Sequence, residues 1–306
     1  MADGAGSAAG DESQAGPAAP VRRVTLDARG VPVSGLLALP ERLPPRAVVL
    51  AVHGGGMSAA YFDSRVQPGM SLLGLGAALG FTVLAVDRPG YGASAAALPD
   101  GQSLAEQTRT LHDTLDAFAA QHACGAGFFV VAHSYGGKLA LSAAADARAG
   151  RLIGLDISGL GRNYAADLHE LPGAGRGGAW RRHWGALRFY PPDAFRRGRD
   201  LVRPVPVRES EESHLWPGRY PGIAARVRVP VRFTFAEQER WWQHDDRALA
   251  ELRAPLAAPR TEVARQPGAG HNISLGWAAR TYHLKALAFL EECLLERSIS
   301  GVGAGN

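Results

Sequence analysis

The sequence predicts an α/β fold: a mostly parallel sheet with helices on both faces, interrupted by one inserted segment. Three observations predict it. Short apolar runs of strand length recur along the chain, helical stretches fall between them, and the rhythm breaks once, between Gly159 and Ala225. Strands that alternate with helices pair in parallel, and a strand buried on both faces reads as a continuous apolar run.

The first elements differ from the rest. Val21–Ala28 and Val31–Leu39 alternate apolar and polar residues, as an antiparallel pair at a sheet edge does. The continuous runs follow: Ala47–His53, Phe81–Asp87, Gly127–Ala132, Leu152–Ile157 and Val229–Phe235. Ser103–His122 is the clearest helix. Ser103 and Glu106 form a capping box, and Leu104, Leu111, Leu115 and Phe118 share one face. Tyr135–Ala149 reads as a second helix and Trp277–Leu295 as the last. The stretch 159–225 is rich in Gly, Pro and Arg and contains Trp180, Trp184 and Trp216. It is too long for a plain connection and reads as a lid with short helices. Residues 1–20 and 299–306 read as flexible tails around a domain spanning 21–298.

Composition narrows the function. A chain of 306 residues with 46% hydrophobic and 20% charged residues is ordinary for a globular domain that needs neither disulfides nor metal for stability. A formal net charge of +4, without zinc-finger spacing or a basic stripe interleaved with aromatics, gives no case for nucleic-acid binding. Cys124 and Cys293 form no metal or redox motif and read as small buried or half-buried thiols. The N-terminal stretch has no basic start and no apolar run, so no membrane association is expected and cytoplasmic residence is the default. No cofactor is expected.

The chemistry is concentrated in four places. Ala132-His133-Ser134-Tyr135-Gly136-Gly137 follows an apolar run and opens a helix, the context of a serine nucleophile on a sharp strand-to-helix turn. Such a turn needs small residues two before and two after the serine, here Ala132 and Gly136; alanine replaces the usual glycine at the first. A serine that merely caps the helix is the competing reading. His53-Gly54-Gly55-Gly56 follows the first central run. It matches the glycine run before the oxyanion hole of lipases and esterases. The candidate oxyanion donors are the N–H of Tyr135 and of Gly55, with Gly56 as an alternative; His53 reads as a structural strand-end residue. Gly268-Ala269-Gly270-His271-Asn272 lies before the last helix, so His271 would stand on a loop at the carboxyl edge of the sheet and act as the base. The acid falls in Ala236-Glu237-Gln238-Glu239-Arg240-Trp241-Trp242. Glu239 fits best, four residues past the apolar run; Glu237 is the runner-up and Asp156 an outside candidate.

The order Ser134, Glu239, His271 resembles the Ser…Asp/Glu…His order of the α/β-hydrolase superfamily, and Asp87-Arg88-Pro89-Gly90-Tyr91-Gly92 resembles a loop of that family. The resemblance covers Val21 to Leu295 apart from the lid. It implies an eight-stranded sheet and cofactor-independent hydrolysis through an acyl-enzyme. Serine at 134 argues against epoxide hydrolases and haloalkane dehalogenases, which use Asp there.

The expected reaction is cleavage of a small ester or thioester. The alternatives are other acyl chemistry on the same residues, such as C–C bond hydrolysis or acyl transfer, and a non-catalytic ligand-binding protein on the same fold. Ten arginines of the lid, from Arg162 to Arg208 and including Arg176, Arg181, Arg182 and Arg199, form either a solvated basic surface or a surface that attracts an anionic partner such as a carboxylate substrate or an acyl carrier protein. The lid tryptophans read either as pocket lining or as lid core.

Overall fold

The computed structural model describes residues 20–165, 180–198 and 201–303. The residues read as the N-terminal tail, apart from Pro20, lie outside that range, as do Arg176, Arg199, residues 304–306 and the side chains of Trp180, Arg181 and Arg197.

Eight strands form one sheet in the order β1-β2-β4-β3-β5-β6-β7-β8. β1 (Val21–Ala28) and β2 (Val31–Ala38) pair antiparallel at one edge, and β2 pairs antiparallel with β4 (Thr82–Val86). From β4 onward every pairing is parallel, through β3 (Val48–Val52), β5 (Phe128–His133), β6 (Leu152–Ser158), β7 (Val231–Gln238) and β8 (Thr261–Gly270). The continuous apolar runs became the central strands because both faces are covered: every residue of β3, β4, β5 and β6 is buried.

Alternate residues of one strand feed two separate cores. Val48, Leu50 and Val52 join the cluster under α2 (Leu104–Ala119), α3 (Tyr135–Ala144) and α8 (Asp246–Arg253). Val49 and Ala51 join the cluster under α1 (Leu72–Ala78) and α9 (Ala279–Gly303). The capping box of α2 is formed: the Glu106 N–H donates to Ser103 Oγ at 3.3 Å and the Ser103 N–H to Glu106 Oε2 at 2.8 Å. Leu104, Leu111, Leu115 and Phe118 are all buried on its inner face.

Several boundaries moved. α3 stops at Ala144 rather than Ala149, because the chain must turn through half-buried Asp146 and exposed Arg148 to enter β6 at Leu152; the Arg148 N–H is taken by Asp146 Oδ1 at 2.9 Å. β7 runs on to Gln238, so Glu239 directly follows the strand instead of standing four residues past it. β8 is an edge strand whose Gln266, Pro267 and Gly268 hid it from periodicity. The closing helix reaches Gly303, through much of the stretch read as a flexible tail; its backbone ladder continues there although Leu295 and Ile299 are exposed.

Between β6 and β7 the described residues hold four short helices: α4 (Trp180–Trp184), α5 (Ala194–Gly198), α6 (Val207–Ser213) and α7 (Trp216–Ala224). α4 packs against β8, α7 against α3, and Glu209 of α6 lies beside Gly55 of the glycine run that follows β3. The inner end of the segment is tied to the loop after β7, where the Ala165 N–H donates to Trp241 O at 2.8 Å and the Gln243 N–H to Asn163 O at 2.9 Å. Trp184 packs with Tyr190 and Phe195, and Trp216 is buried with its Nε1–H on Gly161 O at 2.9 Å. Trp184 thus packs within the inserted segment, and Trp216 joins the core cluster that holds residues of β3, β5 and α3.

Candidate active site

Ser134 joins β5 to α3 with φ 52° and ψ −117°. This is left-handed backbone for a non-glycine residue, a conformation that costs on the order of 1–3 kcal/mol and persists only where the surroundings enforce it. Here they do. The Ser134 N–H is held by Ser158 O at 2.9 Å, and the Ser134 carbonyl accepts from the Gly137 N–H at 2.9 Å. The first turn of α3 also lies hard against the end of β3. A Cβ on Gly136 would stand 2.3 Å from Val52 O, so only glycine lets the helix approach. A Cβ on Gly54 would stand 3.1 Å from the Ser134 Cβ, which brings the glycine run beside the serine.

His271 follows β8 directly and is buried. Its Nδ1 lies 2.8 Å from Glu239 Oε2 and 3.0 Å from Oε1, and the Trp241 N–H donates to the same Oε1 at 3.0 Å. With a carboxylate on one side, Nδ1 carries the proton and Nε2 is left as the acceptor. Glu239 is almost wholly buried, whereas Glu237 is exposed and accepts the Gly268 N–H at 2.7 Å. Strand alternation would put the two glutamates on one face; the end of β7 at Gln238 separates them, so that Glu239, past the strand, reaches the histidine and Glu237, within it, latches the β8 backbone. Asp156 stands elsewhere in the fold, paired with Arg232 at 2.6 Å and accepting from Tyr282 Oη at 2.9 Å.

Ser134, His271, Gly54, Gly55 and Tyr135 all line one cleft. Among the described residues nothing accepts from the N–H of Tyr135 or of Gly55. The Gly56 N–H is committed to Tyr91 Oη at 3.0 Å, which removes the alternative donor. His53 is also committed. Its Nε2 accepts the Arg88 N–H at 3.0 Å and its Nδ1 donates to Gly54 O at 2.8 Å, and burial with Arg88 nearby holds its pKa well below the usual range.

Further residues shape the cleft without having been singled out in the sequence. Arg88, fully buried, donates to His53 O, Gly54 O and Gln107 Oε1, and pairs in bidentate fashion with Glu209 of α6 at 2.7 and 2.9 Å. It thereby clamps the inserted segment onto the glycine run. Its signal was the Asp87–Gly92 loop, where a charged residue directly follows a buried strand. The aromatic wall is Trp241 and Trp242 from the loop after β7 together with Tyr164; of the described tryptophans of the inserted segment, neither Trp184 nor Trp216 lines the cleft. Lys138 enters the cleft from α3; its signal was one charge in the otherwise apolar run that follows Ser134. His183 of α4 closes the wall beside His271, and burial pushes its pKa down to about 3, with His271 adding to the effect. His133, stacked on Tyr61, is likewise held neutral by burial and by His271. Among the described residues no group of three or more His, Cys, Asp or Glu side chains is arranged to hold a metal, and no helix is long and apolar enough to cross a membrane.

The same architecture occurs in solved structures. A highly thermostable carboxyl esterase from Bacillus coagulans in complex with glycerol is 16% identical, with a TM-score of 0.64 over 90% of this chain and 99% of that one. Proline iminopeptidase from Mycobacterium smegmatis is 18% identical, with a TM-score of 0.62 over 90% of this chain and 100% of that one. An M. tuberculosis esterase is 20% identical, with a TM-score of 0.57 over 90% and 93%. At these identities the likeness is one of fold. No curated protein matches the sequence. The profile of the alpha/beta hydrolase family matches residues 48–281, and the chain belongs to that family.

Proposed function

We propose that the protein is a serine hydrolase that cleaves a carboxylic ester or thioester through an acyl-enzyme on Ser134. One observation carries this reading: a serine held in a left-handed turn shares a cleft with a buried histidine whose Nδ1 is fixed by a buried carboxylate. His271 Nε2 takes the Ser134 proton as Oγ attacks the carbonyl carbon, and returns it to the leaving group. Glu239 holds the imidazole in the correct tautomer and stabilises its charged form. The N–H groups of Tyr135 and Gly55, free and at the cleft wall, receive the negative charge on the carbonyl oxygen; one such donor is worth about 10²–10³ in kcat. Water then repeats the sequence on the acyl-enzyme. The inserted segment acts as a lid that roofs the cleft and limits water.

Ser134→Ala tests the reading. It should lower kcat on an activated ester by at least about 10⁴-fold and abolish labelling by a fluorophosphonate, with the thermal unfolding midpoint unchanged or raised. Turnover and labelling that survive in the alanine variant sink the reading.

A further inference from the structure

Lys138 carries an inference that rests on Ser134 as the reacting residue and names the substrate class. Its side chain is only 4% exposed, yet it lines the cleft. An ammonium has three donors. Among the described residues, Lys138 Nζ makes one hydrogen bond, to Tyr164 Oη at 2.7 Å, and that hydroxyl donates onward to Ser213 O at 2.8 Å. The rest of its surroundings is aromatic: Nζ lies 5.1 Å from the Tyr135 ring centre, 5.4 Å from Tyr164, 5.6 Å from Trp216 and 5.7 Å from Trp242.

No carboxylate of the described residues pairs with it. Glu209 of α6 lines the same cleft, but both of its oxygens are held by Arg88 and Tyr91. Glu212 is turned to the Leu104 N–H at 2.8 Å and to Arg219 at 3.1 Å. Burial accordingly pushes the Lys138 amine down to about 7, with Arg88 and Arg219 adding to the fall and Glu209 and Glu212 opposing it. A cation so enclosed is completed by an anion brought in from outside. Only Lys138 and Lys285 are lysines among the 33 Lys and Arg residues, so the chain departs from its usual cation at this point in the cleft.

The placement sets a length. Lys138 follows Ser134 by four positions on one helix face, about 6 Å along the axis, and helix side chains lean toward the N-terminus, here toward Ser134. We propose that Lys138 is a specificity-determining residue that binds a carboxylate of the substrate, and that the preferred substrates are esters or thioesters bearing a free carboxylate about five or six bonds from the scissile carbonyl. Tyr164 holds the amine in place, and the tryptophan and tyrosine faces exclude water from the ion pair.

Two measurements test this, one of them independent of turnover. In the first, adipate binding is followed by calorimetry at pH 8 for the parent and for Lys138→Met. The parent should bind adipate at least about 10-fold more tightly than the variant. It should take up protons as it does so, seen as heat that changes with the buffer's ionisation enthalpy, because a bound carboxylate favours the protonated amine. Equal affinity, or binding without proton uptake in the parent, overturns the assignment. In the second, kcat/KM is compared for monophenyl adipate and phenyl hexanoate. The ratio of anionic to neutral ester should fall about 10- to 100-fold in Lys138→Met, mainly through KM. An unchanged ratio refutes the role of Lys138 even if both esters are hydrolysed. Loss of fluorophosphonate labelling in the parent would instead strike the serine reading and leave the adipate measurement to decide on Lys138. Should the methionine variant fail to fold, adipate and adipamide compete in binding to the parent, and equal affinity of the two overturns the proposal.

Discussion

Replacing Glu239 by glutamine separates the two acidic candidates and tests the charge relation to His271. In the parent, the carboxylate makes three close contacts: 2.8 and 3.0 Å to His271 Nδ1 and 3.0 Å to the Trp241 N–H. A glutamine keeps one oxygen and puts an NH₂ donor in place of the other, so one of the two positions now facing His271 Nδ1 becomes a donor. If that oxygen stays on Trp241, the amide NH₂ faces Nδ1, which must then accept; the proton moves to Nε2 and the base is blocked. This tautomer trap costs about 10⁴-fold in kcat, equivalent to about 5 kcal/mol of barrier. If the oxygen instead turns to His271, Nδ1–H keeps a partner but the imidazolium loses its counter-charge, which costs about 10- to 100-fold. Because both groups are buried, bulk water offers no relief, and the first arrangement also keeps the backbone donor satisfied. The expected loss therefore lies nearer 10⁴-fold than 10²-fold. Glu237→Gln keeps an oxygen for the exposed Gly268 N–H and should change kcat less than about threefold. Both variants are assayed on phenyl hexanoate under saturating conditions, with thermal melts run alongside. A Glu239→Gln enzyme within tenfold of the parent, or a larger loss at Glu237, would refute the reasoning.

Three further outcomes follow from the packing. Gly136→Ala should destabilise the protein by about 3 kcal/mol in urea unfolding, because the added Cβ meets backbone oxygens of Val52 and His53 at 2.3 and 2.6 Å, which cannot swing away; wild-type stability would show that the turn can relax. Glu209→Ala strands the fully buried Arg88 charge and should cost about 3–5 kcal/mol by the same measurement, with a loss below 1 kcal/mol speaking against the clamp. Lys138 should make stability depend on pH. Its folded pKa of about 7 lies below the unfolded value near 10.4, so the unfolded chain binds more protons between these limits and stability rises with pH across that window. Lys138→Met should accordingly gain most in melting temperature, relative to the parent, near pH 6 and least near pH 10; parallel curves for the two proteins would contradict the amine's buried, uncompensated state.

The sequence by itself determined the sheet and marked the residues that meet in the candidate site. Five apolar runs became strands because a strand covered on both faces has no room for polar alternation, and the alternating pair Val21–Ala28 and Val31–Ala38 became the antiparallel edge. Ser134, His271 and the glycine run were legible because sharp turns and close backbone approach admit few residue types. Long-range contacts decided the rest. Glu239 and Glu237 differ by two positions, and only the extension of β7 to Gln238 and the parallel pairing with β8 show which one reaches His271 and which one holds Gly268. Gly56 was excluded as a donor by Tyr91, a residue from another strand's loop. Trp241 and Trp242, rather than Trp184 and Trp216, face the cleft because the loop after β7 closes against Tyr164 and Ala165 at the start of the inserted segment. The isolation of Lys138 depends on where Glu209 spends its charge, and that is fixed by Arg88, 121 positions earlier in the chain. Periodicity records which faces a segment buries, but it carries no information about which distant side chain meets it there, and in this protein that meeting decides which glutamate contacts His271, the walls of the cleft and the charge within it.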